Sequence, residues 1–203
     1  MGDKKLNLIV DLAERTILLI LYARFVLIFW HAFQYNPIQI LPMIQGTIII
    51  AFVVFRPFGG SILISPYAMS IALIGTMLTL FVSPVGYRPE YASIGGAMMV
   101  FAICMGVVAK LYMNRRWGFL VANRGVQTKG PYAFVRHPVY IAYIIGDIGF
   151  LIANPSLWNA SILILQAFFL LLRIFEEEKF LSLDPDYRTY KERVRYRLLP
   201  KVY

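Results

Sequence analysis

Six apolar runs, most of them about as long as a membrane crossing, constrain this chain more than any other feature. Roughly 20 predominantly apolar residues suffice for a helix to span the hydrocarbon layer. The runs cover Thr16–Tyr35, Ile38–Phe55, Ile62–Val82, Tyr91–Met113, Pro138–Ala153 and Leu157–Phe175. Asn36-Pro37 and Asn154-Pro155-Ser156 are so short that the flanking runs must form tight helical hairpins. The fifth run is brief for a straight crossing, so its hairpin is expected to be shallow or tilted. With 59% hydrophobic and 15% charged residues in a chain of 203, the surplus apolar surface must be hidden in lipid. The expected fold is all-α: a polytopic membrane bundle of about six transmembrane helices forming one domain, 1–203.

The basic residues orient the bundle. The formal charge of +9 need not signal nucleic acid, because a basic membrane protein usually carries its excess in cytoplasmic loops. If both termini are cytoplasmic, Arg88 is the one Lys or Arg in an outer segment, and Arg24, Lys110 and Arg173 lie within runs or at their inner ends. All the others fall inside. The expected partners are therefore the lipid bilayer and a small molecule, with no nucleic acid. Oligomeric state is left open.

Residues 1–15 alternate apolar and charged positions at helical spacing and read as a short surface helix or a frayed tail. Arg115, Arg116 and Trp117 read as an anchor at the inner membrane surface. Gly75, Gly95, Gly96, Ala142, Gly146 and Gly149 suit close helix contact. The single Cys104 excludes an internal disulfide, and two distant histidines argue against a dedicated zinc site.

Polar chemistry is concentrated in two places. The stretch Gly130–Tyr140, Gly-Pro-Tyr-Ala-Phe-Val-Arg-His-Pro-Val-Tyr, opens the fifth run with a turn, two tyrosines, an arginine and a histidine. Glu176, Glu177 and Glu178 close the sixth. If these runs form a hairpin, the cationic and acidic clusters emerge together. Asp184-Pro185 then starts a further helix, an N-cap acceptor followed by proline. That helix presents Tyr187, Tyr190, Val194 and Leu198 on one face, and should lie on the membrane or fold over the site as a lid.

These blocks resemble the signature of the isoprenylcysteine carboxyl methyltransferase family of integral-membrane methyltransferases. Gly130-Pro131-Tyr132 and Arg136-His137-Pro138-Val139-Tyr140 match its first block. Arg173-Ile174-Phe175-Glu176-Glu177-Glu178-Lys179-Phe180-Leu181 looks like its second, Arg-x-x-x-Glu-Glu-x-x-Leu, and Asp186-Tyr187-Arg188-Thr189-Tyr190 is similar to its tail. Together these cover roughly Arg124 to Tyr203. The run Arg124–Gly130 matches less closely, with Arg124 and Gln127 where the family usually has histidine and valine. The resemblance implies that S-adenosylmethionine is the cofactor. Its contacts would be Arg124, Val126, Gln127, Gly130, Tyr132, Arg136, His137, Pro138, Val139, Tyr140, Glu177 and Glu178, with Arg173 and Glu177 as catalytic residues and Arg173 holding the acceptor.

The residue chemistry suits that cofactor. A carboxylate calls for cationic or N–H donors, as on Arg136 and His137. Ammonium and ribose hydroxyls call for an acceptor such as Glu177. Adenine and sulfonium suit the faces of Tyr132 and Tyr140, and Pro138 fits the first helical position. A carboxylate acceptor would need no general base. An amine or thiol acceptor would, with Glu177 or His137 as candidates. Arg-His-x-x-Tyr is also similar to the sterol reductases, which use a nicotinamide cofactor, so a NADPH-dependent reductase is an alternative, beside a phospholipid amine or thiol methyltransferase and a non-enzymatic membrane protein that retains a degenerate site. Finally, Arg24 and Asp147 lie at similar depths within their runs, where isolated charges are costly. They are expected to pair and to wall an acceptor cavity.

Overall fold

A computed structural model describes residues 2–55, 61–62, 65–114, 122–123 and 125–200. It is a helical bundle of α1 (Gly2–Phe33), α2 (Ile40–Val54), α3 (Pro66–Met77), α4 (Pro89–Met113), α5 (Pro138–Ala153), α6 (Leu157–Leu181) and α7 (Pro185–Arg193). A two-residue antiparallel ladder, Ser61–Ile62 against Ala122–Asn123, ties two connecting segments together.

Four of these segments are long and apolar enough to cross a membrane: Asp11–Phe33, Pro37–Val54, Pro89–Met113 and Leu157–Leu181. Two others are shorter, Pro66–Phe81 and Pro138–Ala153. The third run thus begins later than its hydropathy implied. Ser65 caps α3 by accepting from the Ala68 amide, and Pro66 takes the first turn, so Ile62 lies outside the helix. At the amino terminus the separate surface helix is replaced by one continuous α1 of 32 residues. No breaker separates the amphipathic start from the first run. An Arg15–Asp11 ion pair one turn apart bridges the junction, and Arg15 also caps the Val54 carbonyl at the end of α2.

The tightest packing joins α4 to α5. A Cβ on Gly95 would lie 2.5 Å from the Gly149 carbonyl oxygen, and one on Gly149 would lie 2.7 Å from the Gly95 oxygen. The two backbones therefore touch, and Ala102 against Gly146 and Gly106 against Ala142 continue the seam. Phe25 and Phe29 of α1 complete the core against Met99, Phe150 and Leu163.

At the end of the bundle holding the Asn154–Ser156 turn, a buried amide knot joins four segments. Gln39 donates to Asn154 (2.6 Å), Asn159 donates to the Ser83 and Asn154 carbonyls, and the Ser83 amide returns to Asn159 (3.0 Å). The opposite end carries the polar clusters and the C-terminal segment.

Arg24 and Asp147 do not pair. Arg24 is exposed, donates to the Leu80 carbonyl (3.3 Å) and lies over the Phe81 ring. Asp147 accepts from Gln166 instead (3.0 Å). Similar depth does not suffice for contact, which azimuth decides. The α1 face bearing Leu18, Phe25 and Phe29 turns inward, which places Arg24 on the flank, beside the carbonyl end of the α3 segment.

Candidate active site at the open end of the hairpin

The α5–α6 hairpin sets the site. Ser156 caps α6 by accepting from the Asn159 amide, so the two helices start their count at one turn. α5 has 16 residues and α6 has 25, and the difference of nine residues lets α6 overhang by about 14 Å. Arg173 is therefore level with Pro138, and Glu177 and Glu178 stand one turn further, beside the segment that enters α5.

Glu178 is the hub of that region. Its carboxylate receives Arg136 through Nε (2.6 Å) and Nη2 (3.2 Å), a bidentate pair with both side chains buried. His137 Nε2 lies 3.1 Å from the same carboxylate, Arg197 Nε donates from 3.0 Å, and Lys191 Nζ is 3.9 Å away. Glu177 turns to Tyr140 and Arg173. Its Oε1 accepts from the Tyr140 hydroxyl (2.6 Å) and from Arg173 Nε (2.9 Å), while Oε2 is 3.9 Å from His137 Nδ1. Arg173 continues to Thr76 of α3 (2.7 Å) and lies over the Tyr140 ring, which itself stacks on His137. Glu176 takes no part in this network.

The C-terminal segment closes over the site. α7 begins as its Asp184 cap requires, with the Asp184 carboxylate accepting from the Asp186 amide, and the Asn123 side chain holds that carboxyl below its usual range. The helix stops at Arg193, short of the expected run to Leu198. Beyond it the chain extends, because Arg136 and His137 donate their backbone N–H groups to the Tyr196 and Arg197 carbonyls (2.9 Å each). The Arg136 guanidinium also takes the Val194 (2.7 Å) and Arg195 (2.6 Å) carbonyls. The apolar face is as expected: Tyr187, Tyr190 and Val194 are buried together, and Leu198 joins the core near Tyr140.

Tyr132 is buried under this strap, its carbonyl accepting from the Tyr190 hydroxyl (2.8 Å). Burial pushes the Tyr132, Tyr187 and Tyr190 phenols up, so all three keep their protons. The Tyr132 and Tyr187 hydroxyls are buried with no partner among the described residues.

Other expected contacts have local duties. Gly130 has φ +61, and a Cβ there would strike the Tyr112 ring, so position and conformation both demand glycine. Gln127 donates to the Tyr112 carbonyl and accepts from the Thr128 amide (2.9 Å), folding its loop against the end of α4. Val126 packs on the α7 tyrosines and Val139 in the core, while Pro138 is the first residue of α5. Arg124, like the Arg115–Trp117 anchor, lies outside the described residues.

The isoprenylcysteine carboxyl methyltransferase (ICMT) family model matches residues 95–183. The match begins within α4, well before the signature blocks, and ends just past α6, short of the C-terminal strap. It covers both Arg136-His137-Pro138 and the Glu177–Glu178 pair. None of the curated proteins matches the chain. Residues 95–183 are thus similar to a family of methyltransferases, and the long apolar helices fit an integral-membrane protein.

A cavity opens between the helices on the membrane side of Arg173. It encloses about 890 Å³ of space, its mouth included, and is walled mainly by apolar side chains of α1, α2, α3 and α6. Arg173 divides this cavity from the Glu177 cluster. Three participants had no sequence signal of their own. Thr76 reaches Arg173 from a remote helix, and Lys191 and Arg197 reach Glu178 from the tail. Only the expected folding-over of the C-terminal helix hinted at the last two.

Proposed function

We propose that the protein is an S-adenosylmethionine-dependent methyltransferase, with its cofactor at the Glu177–Tyr132 region and a lipophilic acceptor in the cavity beyond Arg173. The single observation that carries this reading is the position of Arg173. It is a buried guanidinium between a polar, aromatic cluster on one side and a membrane-level cavity on the other. The donor set fits a zwitterion bearing hydroxyls and an aromatic base. Glu177 Oε2 has His137 Nδ1 only at 3.9 Å, and the Tyr132 and Tyr187 hydroxyls have no partner among the described residues. The stacked His137 and Tyr140 rings supply flat faces.

Bound there, the cofactor supplies an electrophilic methyl group on a sulfonium. Glu177 and Tyr132 would hold it by hydrogen bonds. Arg173 orients an acceptor carboxylate, which needs no base, and the C-terminal strap excludes water. Arg136 and Glu178 act one step back. Each is committed to the other and to the strap, so they hold the site's shape. Both termini and the site would face the cytoplasm, the side to which the basic loops belong.

Calorimetry of the purified protein in detergent with S-adenosylhomocysteine, and separately with NADPH, tests this. Binding of the first alone is expected. NADPH binding without S-adenosylhomocysteine binding would move the protein to the reductase class. Arg173→Ala should leave S-adenosylhomocysteine affinity within a few-fold.

A further inference from the structure

The cavity beyond Arg173 is not uniformly apolar. Two turns deeper, Asp147 and Gln166 form a polar belt in its wall, with Tyr143 between them and the site. Gln166 donates its amide to Asp147 Oδ2, but its own Oε1 is buried without a hydrogen-bond partner among the described residues. Gln166 is only 3% exposed. The Tyr143 hydroxyl is likewise buried and has no partner among the described residues. Polar atoms at this depth generally pair or face a ligand path, since lipid offers them nothing. A carboxylate and an amide oxygen are both acceptors. Gln166 Oε1 in particular lacks a donor among the described residues.

Its distance from the reaction centre follows from two helices independently. Gln166 and Arg173 are seven residues apart on α6, and Asp147 and Tyr140 are seven apart on α5. Each pair spans two turns, about 10 Å. From this geometry we infer that the acceptor is a lipophile carrying a second polar group. That group is a hydrogen-bond donor, a hydroxyl or an amine, about 10 Å along its chain from the atom that is methylated. The belt reads this group and sets the acceptor's register in the cavity. The inference rests on the proposed carboxylate methyltransferase reading.

The test uses the wild-type protein with S-adenosylhomocysteine bound, in detergent. Binding of unbranched fatty acids of six to fourteen carbons is measured by calorimetry, each compared with its ω-hydroxy and ω-amino analogue of equal length. A maximum is expected near the chain lengths that span about 10 Å. There the ω-substituted compound should bind roughly ten-fold more tightly than the plain acid. The tighter of the two series identifies the donor as hydroxyl or amine. The Gln166→Leu and Asp147→Leu double variant, which removes both polar groups together, should abolish the preference and leave plain fatty-acid binding intact. If ω-substitution weakens binding at every length while S-adenosylhomocysteine and plain fatty acids still bind, the belt is structural and the inference fails alone. If S-adenosylhomocysteine itself does not bind, the methyltransferase reading fails with it.

Discussion

Replacing Arg136 with lysine separates a residue that holds the site from one that binds the cofactor. Arg136 makes four side-chain hydrogen bonds, two to Glu178 and two to the Val194 and Arg195 carbonyls. Lysine keeps the charge and can still reach Glu178, but it lacks the planar fork that serves both partners at once. The two carbonyls then lose their donor. Leaving a buried carbonyl unsatisfied costs about 1–3 kcal/mol. The bond to Val194 is buried, whereas water can partly replace the one to Arg195, which is only part-buried. The strap should loosen by about 2–4 kcal/mol. Two amides report it directly, those of Arg136 and position 137, whose hydrogens bond the Tyr196 and Arg197 carbonyls. Their native-state hydrogen exchange should accelerate roughly thirty- to several-hundred-fold in Arg136→Lys, with the core of α4 and α5 unchanged. Cofactor affinity should fall in step. A variant that loses S-adenosylhomocysteine binding while those two amides stay protected would refute the reasoning, because Arg136 would then be touching the cofactor itself.

Glu177→Gln and Tyr132→Phe should each weaken S-adenosylhomocysteine binding by roughly ten- to a hundred-fold in calorimetry, at about 1.5–3 kcal/mol for a charge-assisted contact and less for the phenol. Unchanged affinity in both would remove the cofactor from this region. Gly149→Val puts a branched side chain against the Gly95 carbonyl, where even a Cβ would be at 2.7 Å, and should cost more than the roughly 1–3 kcal/mol of ordinary overpacking; thermal unfolding in detergent reads it. Single cysteines at Ser93 and Lys129 in a Cys104→Ala background report orientation. Labelling of position 93 but not 129 in intact cells is expected, and the reverse pattern would invert the bundle.

The bundle was legible in the chain because lipid imposes one rule on every segment, internal satisfaction of backbone hydrogen bonds, and apolar run length expresses that rule directly. The hairpin at Asn154–Ser156 was legible for the same reason, and with it the meeting of Arg136-His137 with the glutamates. Both depend only on counting residues from a turn. Local chemistry was legible too: the Asp184 cap and the inward face of Tyr187, Tyr190 and Val194 follow from side-chain types at short spacing. Tertiary contacts decided the rest. Which glutamate pairs with which cation depends on α6's rotation about its axis, which makes Glu178 the hub and turns Glu177 to Tyr140 and Arg173. The end of α7 at Arg193 is set by carbonyls claimed by Arg136, a residue more than fifty positions away. Arg24 and Asp147 show the limit most plainly. Depth along a helix accumulates residue by residue and can be read from sequence, but the direction a side chain faces depends on how whole helices pack. That packing turned one toward the Leu80 carbonyl and the other toward Gln166.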